Sequence, residues 1–352
     1  MKKNRFISLC VCGMTVVLAM NVSARALIKQ GNSPVKSVQT LVKTKEISAR
    51  VGTGVSPKAT SMIISYAMST DQNKRPYQED RFAYAANIGE GGFGGGKFFG
   101  VYDGHGGDRT SSFLESNLHT YFSQNLVGQI SPEKAFESVF LKAEKYALDN
   151  YDDGSTALAA YIDKNNVLYC AWVGDTRAVL EKNGKVGFFT NDHKPDSEDE
   201  KKRIEKAGGR VRMQGVWRVN GLAVSRSIGD ASCKKKGVGQ IIAIPECAQV
   251  QLTSDSHFLI LASDGLWDVV DNEQAVEMVK KELDKKIPLN SIALLLQNFA
   301  IKKGSGDNIT VCIIAFDWTG QDPLVISEKS TTAMPWYRRI SPVRFWNWLR
   351  GR

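Results

Sequence analysis

The 352-residue chain has no Cys-x-x-Cys pair, which excludes zinc sites of the usual thiolate spacing. No glycine-rich stretch ends in Gly-Lys-Ser or Gly-Lys-Thr, so a P-loop is excluded as well. Beyond the amino-terminal run, no segment is apolar for long enough to span a bilayer, and no internal repeat appears. Acidic residues are missing from both ends. Residues 1–26 carry Lys2, Lys3, Arg5 and Arg25, and residues 329–352 carry Lys329, Arg338, Arg339, Arg344, Arg350 and Arg352, with no Asp or Glu in either stretch. The formal net charge of +9 therefore leaves −1 for residues 27–328. A near-neutral body argues against nucleic acid as a partner.

What is present at the amino end follows the grammar of a secretory signal. A basic start is followed by an apolar run from Phe6 to Met20 and by Ala24-Arg25-Ala26, a small-x-small cleavage pattern. The expectation is a signal peptide over 1–26, a polar, lysine-rich linker over 27–61, a structured body over 62–317 and a basic aromatic tail over 318–352. Cleavage would leave Cys170, Cys233, Cys247 and Cys312. Cys170 and Cys312 lie in apolar strand-like runs, where a buried free thiol is the common state. In the tail, Trp336, Tyr337, Phe345, Trp346 and Trp348 interleave with five arginines, a composition suited to an anionic membrane surface.

Strand-like runs occupy Lys97–Tyr102, Val167–Val173, Ala178–Glu181, Val186–Thr190, His257–Ala262 and Ile309–Phe316, with Asn183-Gly184 as a hairpin turn. After Ser131-Pro132, Phe136, Val139, Phe140, Ala143 and Ala147 keep one helical face. Ile292, Leu295, Leu296 and Phe299 mark a second helix, which Gly304 stops. Ser197-Glu-Asp-Glu200 predicts a capping box, and Gly208-Gly209 ends the exposed helix it opens. Glu90-Gly-Gly-Phe-Gly-Gly-Gly96 reads as a flexible hairpin loop. Antiparallel strands with helices before, within and after them argue for helices on the outer faces of stacked sheets.

Four aspartate motifs lie far apart: Asp103-Gly104-His105-Gly-Gly, Gly174-Asp175-Thr-Arg, Asp264-Gly-Leu-Trp-Asp268 and Asp307-Asn308. Each places a carboxylate beside a strand, and Asp264 follows Phe258–Ala262, a run too apolar for the surface. Any one of them is compatible with an ordinary turn. Together they supply what a cluster of hard divalent cations requires. Upstream, Arg75 precedes Glu79-Asp80, and an arginine beside such a cluster suits a phosphate or else forms a surface ion pair.

With these residues assembled, the chain resembles the metal-dependent protein serine/threonine phosphatases of type 2C over roughly residues 62–317. The motifs that carry the resemblance also include Gly154-Ser-Thr-Ala157 and Leu222-Ala-Val-Ser-Arg-Ser-Ile-Gly-Asp230. The resemblance implies an α+β fold, a four-layer αββα sandwich in which two central antiparallel β-sheets are flanked by pairs of α-helices. It also implies a small flap over about 191–236. Asp80, Asp103, Asp264 and Asp307, with the Gly104 carbonyl, match the ligands of two Mg or Mn ions. Asp175 and Asp268, with Asp264, match a weaker third site. Arg75 matches the phosphate-binding arginine, Glu79 a residue that orients water, and His105 the general acid. The implied reaction is attack of a two-metal-bridged water on the phosphorus of phosphoserine or phosphothreonine proteins. The alternative is a catalytically weak phosphoprotein-binding relative, attached to a membrane through its tail.

A monomer is expected, exported to the periplasm or secreted. The mature chain should then begin near Leu27 in a periplasmic or extracellular fraction. Mass spectrometry that finds intact Met1 on soluble cytoplasmic protein would overturn this expectation.

Overall fold

Every residue of the run Ile309–Phe316 is buried, and alternate residues serve different cores. Ile309, Val311, Ile313 and Ala315 face one way, whereas Cys312, Ile314 and Phe316 face the other. A strand that is apolar on both faces must lie between two packed layers, because successive side chains point to opposite sides of a sheet.

The computed structural model describes residues 42–43, 62–89, 95–126 and 130–319. The expected signal peptide, most of the glycine-rich loop and nearly all of the tail lie outside the described residues. In chain order the elements begin with β1 (Val42–Lys43), β2 (Ile63–Asp71), β3 (Arg81–Ile88), β4 (Gly96–Tyr102) and β5 (Gly104–His105). Helices α1 (Arg109–Leu126) and α2 (Pro132–Asn150) follow, then β6 (Gly154–Ser155), β7 (Ala157–Ile162), β8 (Val167–Val173), β9 (Arg177–Lys182) and β10 (Lys185–Phe189). An excursion holds α3 (Glu198–Lys206), β11 (Arg212–Gln214), β12 (Val216–Arg218), β13 (Ile228–Gly229) and α4 (Ala231–Lys234). The chain closes with β14 (Glu246–Gln251), β15 (Ser256–Ala262), α5 (Asp264–Trp267), α6 (Asn272–Asp284), α7 (Leu289–Lys303) and β16 (Ile309–Asp317).

Two antiparallel sheets form the centre, in the orders β1-β2-β16-β15-β9-β10 and β14-β8-β7-β4-β3. Between them Tyr66, Phe99, Leu158, Leu180, Leu259, Leu261 and Ile314 interdigitate. On the outer face of the five-stranded sheet, Phe98 and Tyr161 pack against Phe122, Phe136 and Phe140 of α1 and α2. On the outer face of the six-stranded sheet, Ile260 and Ile313 meet Val276, Val279, Ile292 and Leu296 of α6 and α7. The architecture is the four-layer αββα sandwich. None of the helices among the described residues is long and apolar enough to cross a membrane.

Local grammar explains most boundaries. Ser131 caps α2 by accepting from the Lys134 amide, and the face from Phe136 to Ala147 is buried. Asn183 and Gly184 both take positive φ in the β9–β10 turn, as the twist of a two-residue hairpin requires. Gly304, at φ 103°, ends α7. Cys170, Cys233, Cys247 and Cys312 are unpaired.

Three expectations need correction. The capping box at α3 does not form: Ser197 Oγ donates instead to the Lys194 carbonyl at 2.9 Å, and Glu200 turns to Arg203 and Arg226. Nor is α3 merely exposed, because Ile204 and Glu200 are buried, Ile204 against Val219 and Ile241. The reason is a small separate core that needs a buried anchor. Within the stretch read as a linker, Val42–Lys43 pairs with Tyr66–Ala67, adding a short strand at the otherwise unpaired edge of β2.

Leu261 is fully buried between the sheets. Leu261→Ala should therefore cost about 2–5 kcal/mol, read as a lower urea midpoint with an unchanged denaturant slope.

Candidate active site

All of the predicted carboxylates arrive at one end of the sandwich, since antiparallel pairing brings Ala262 of β15 opposite Arg177 of β9 and Val311 of β16. Asp80 precedes β3, Asp103 joins β4 to β5, Asp175 sits in the β8–β9 turn, Asp264 opens α5 and Asp307 precedes β16. Oxygens of Asp103, Asp175 and Asp264 lie within 4.8 Å of one another. Asp268 caps the carboxyl end of α5 and is exposed at the rim.

Close approach of backbone makes this possible. A Cβ on Gly104 would meet the Glu79 carbonyl at 2.6 Å, and one on Gly265 would meet the Asn308 carbonyl at 1.9 Å. Only glycine lets these turns touch. Asn308 then holds the loop between β2 and β3 at three points, accepting from the Glu79 amide at 2.8 Å and donating to the Gln72 and Tyr77 carbonyls at 2.9 and 3.0 Å.

Neighbouring hydroxyls fix the Asp80 carboxylate and the Asp103 backbone. Ser263 Oγ donates to Asp80 Oδ2 at 2.7 Å, and Thr156 Oγ1 accepts from the Asp103 amide at 3.1 Å. The second Asp80 oxygen, Oδ1, is buried with no hydrogen-bond partner among the described residues. Burial pushes the Asp80 carboxyl up to about 6, against the lowering effect of its hydrogen bonds with Ser263 and Thr310. Asp103 and Asp264 are held well above the ordinary carboxylate range, first by burial and then by neighbouring carboxylates. A group of oxygen donors that repel one another, one of them orphaned, fits hard divalent cations. The residues that would hold them are Asp80, Asp103, Asp264, Asp307 and the Gly104 carbonyl, with Asp175 beside Asp103 and Asp264, and Asp268 at the exposed rim.

Cations of the protein border this cluster. Arg75, half exposed, pairs with Asp307 Oδ2 at 2.5 Å, so the arginine near the cluster and the surface ion pair considered as its alternative coincide in one residue. Lys194 forms an ion pair with Asp175. Burial alone lowers the Lys194 ammonium, but Asp175 outweighs it and raises the group above its ordinary range. Arg177 grips Asp192 through two hydrogen bonds of 2.9 and 2.7 Å, tying the start of the excursion to the site.

Glu79 is held through its backbone by Asn308 and Ser111. His105 Nε2 lies 2.9 and 3.0 Å from the two oxygens of Asp230. Burial lowers the imidazole, and Asp230 more than reverses this to give a net rise. Sequence reasoning assigned no role to Lys194, Ser263, Thr156, Asn308 or Asp230. Ser263 and Asn308 directly adjoin metal-type aspartates, and that adjacency was the available clue.

An αββα sandwich whose sheets meet at an all-oxygen cluster defines a class of fold with a place for hard divalent cations. The protein phosphatase 2C family profile matches residues 64–309, and the chain belongs to that family. It is 43% identical over 242 residues to probable protein phosphatase 2C 52 of Oryza sativa subsp. japonica, covering 66% of this chain and 47% of that protein. It is 42% identical over 260 residues to probable protein phosphatase 2C 59 of the same organism, covering 72% of this chain and 76% of that protein. The match thus spans about half the length of the first relative. A crystal structure of serine-threonine phosphatase 2C from Toxoplasma gondii has a TM-score of 0.62 at 22% identity, covering 79% of this chain and 99% of that one. That likeness concerns the fold.

Carboxyls with raised folded pKa values make the metal-free protein less stable as pH rises. Below the ordinary value of about 4 both folded and unfolded chains hold the protons, and above it the unfolded chain releases them first. In chelating buffer, Asp103→Asn should raise the melting temperature at pH 7 by roughly 2–4 °C, with the difference closing toward pH 4. Added Mn should stabilise the wild type far more than this variant, as read by calorimetry.

Proposed function

We propose that this chain hydrolyses phosphoserine and phosphothreonine in proteins, using two Mg or Mn ions at the core of the carboxylate cluster and a weaker third at its rim. One observation carries this reading. Side chains from five separated segments, Asp80, Asp103, Asp175, Asp264 and Asp307, gather at one sandwich end beside Arg75 and His105.

When bound, the ions supply Lewis acidity, activating water for attack on phosphorus and neutralising charge on the phosphate oxygens. The chain's own residues divide the remaining work. Arg75 is exposed enough to turn its guanidinium from Asp307 to a phosphate, whose oxygens match its paired donors. Glu79, anchored by its backbone, orients the attacking water. His105 donates a proton to the departing serine or threonine oxygen, which is too basic to leave unaided. No covalent intermediate on the protein is needed, so rate comes from positioning and electrostatics.

Phosphate release from a phosphothreonine peptide should require Mn or Mg, stop with chelator, and fall by roughly 10²–10³-fold in Asp264→Asn. Activity that persists in chelator, or is unchanged in the variant, would falsify the reading.

A further inference from the structure

The loop from Ser227 to Lys234 is built around one carboxylate. Asp230 has φ 60° and ψ 42°, the left-handed region, which a non-glycine residue keeps only when its surroundings hold it there. Several separate contacts do so. The Asp230 amide donates to the Asp153 carbonyl at 3.0 Å, and Ser227 Oγ donates to Asp230 Oδ2 at 2.6 Å. Glu144 of α2 accepts from the Gly229 amide at 2.8 Å and from Lys234 Nζ at 2.6 Å, clamping both sides of Asp230. Gly154, directly opposite, leaves the room: a Cβ there would lie 2.2 Å from Asp230 Oδ2. The side chain is almost fully buried, and it faces His105 Nε2 with both oxygens.

We propose that Asp230 is a positioning residue for phosphoryl transfer, acting through His105: its carboxylate holds Nε2–H and so presents Nδ1 to the leaving oxygen. The inference rests on the reading of His105 as the general acid. An imidazole has two ring nitrogens, and a carboxylate fixed on one decides which way the other points. The proton moves from Nδ1 to the serine or threonine oxygen as its bond to phosphorus breaks, while Nε2–H stays with Asp230. Asp230 neither touches substrate nor gains a proton in this step. The geometry has no such use if His105 is only a turn residue, because Asp230 would then be a strained, buried anion whose main partner does nothing.

The test compares two substrates of different leaving-group basicity. A phosphothreonine peptide needs an acid at its departing oxygen, whereas p-nitrophenyl phosphate releases a stable anion without one. Asp230→Asn is the variant of choice, since asparagine tolerates the left-handed backbone. The expected result is a kcat loss of about 10- to 100-fold on the peptide and a much smaller loss on p-nitrophenyl phosphate, with KM for the peptide little changed. His105→Gln should shift the ratio of the two kcat values in the same direction. The double variant should be no slower than His105→Gln alone, because the two residues act as one unit. Ser227→Ala, which leaves the carboxylate in place but loosens it, should shift the ratio less, and it decides the matter if Asp230→Asn does not fold. Equal loss on both substrates, no loss, or multiplicative losses in the double variant would overturn the positioning role. If His105→Gln itself fails to discriminate between the substrates, the acid reading falls, and the role of Asp230 falls with it.

Discussion

The site is governed by repulsion. A protein that gathers Asp80, Asp103, Asp175, Asp264 and Asp307 at one end of two sheets has concentrated negative charge where burial weakens the screening of water. The fold tolerates this through rigid support elsewhere: three continuous apolar layers hold the strands, and hydroxyls from Ser263 and Thr156 fix the groups beside the site. Divalent cations held there would turn the same repulsion into attraction. The same side chains set the stability of the metal-free fold and would hold such ions.

Protein cations show how the charge is distributed. Lys194 and Arg75 pair with Asp175 and Asp307, whereas Asp80 and Asp103 have no ion pair among the described residues. Arg177 and Lys194 also connect the site to the start of the excursion that carries α3. Within that excursion Glu200 is a second focus of charge. Burial alone would raise its carboxyl, but Arg203 and Arg226 hold it at about 2, so this small element has an electrostatic anchor as well as Ile204.

Much of this was legible in the sequence where side chains act locally. The strands that alternate Ile and Val, the Ser131-Pro132 start of α2 and the Asn183-Gly184 turn obey short-range rules, and the structure has each of them. Strand β7, Ala157-Leu-Ala-Ala-Tyr-Ile162, was not read as a strand, because alanine carries no strand preference and its burial comes from neighbours on both faces. The predicted capping box failed for a related reason. Glu200 had a better partner in Arg226, and the sequence distance between them conceals it. The aspartates could be named from their motifs, but not the company they keep. Asp230 approaches His105 across 125 residues, and no local pattern reports such a meeting.

Asn308 gives the arrangement a temporal dimension. Its side chain joins backbone 229 residues upstream to the last strand of the sandwich, and Asp307 beside it brings the final carboxylate. In chain order the site is complete only when the segment leading into β16 is added. A chain ending before Asp307 would lack both that carboxylate and the hydrogen bonds by which Asn308 holds the loop ahead of β3.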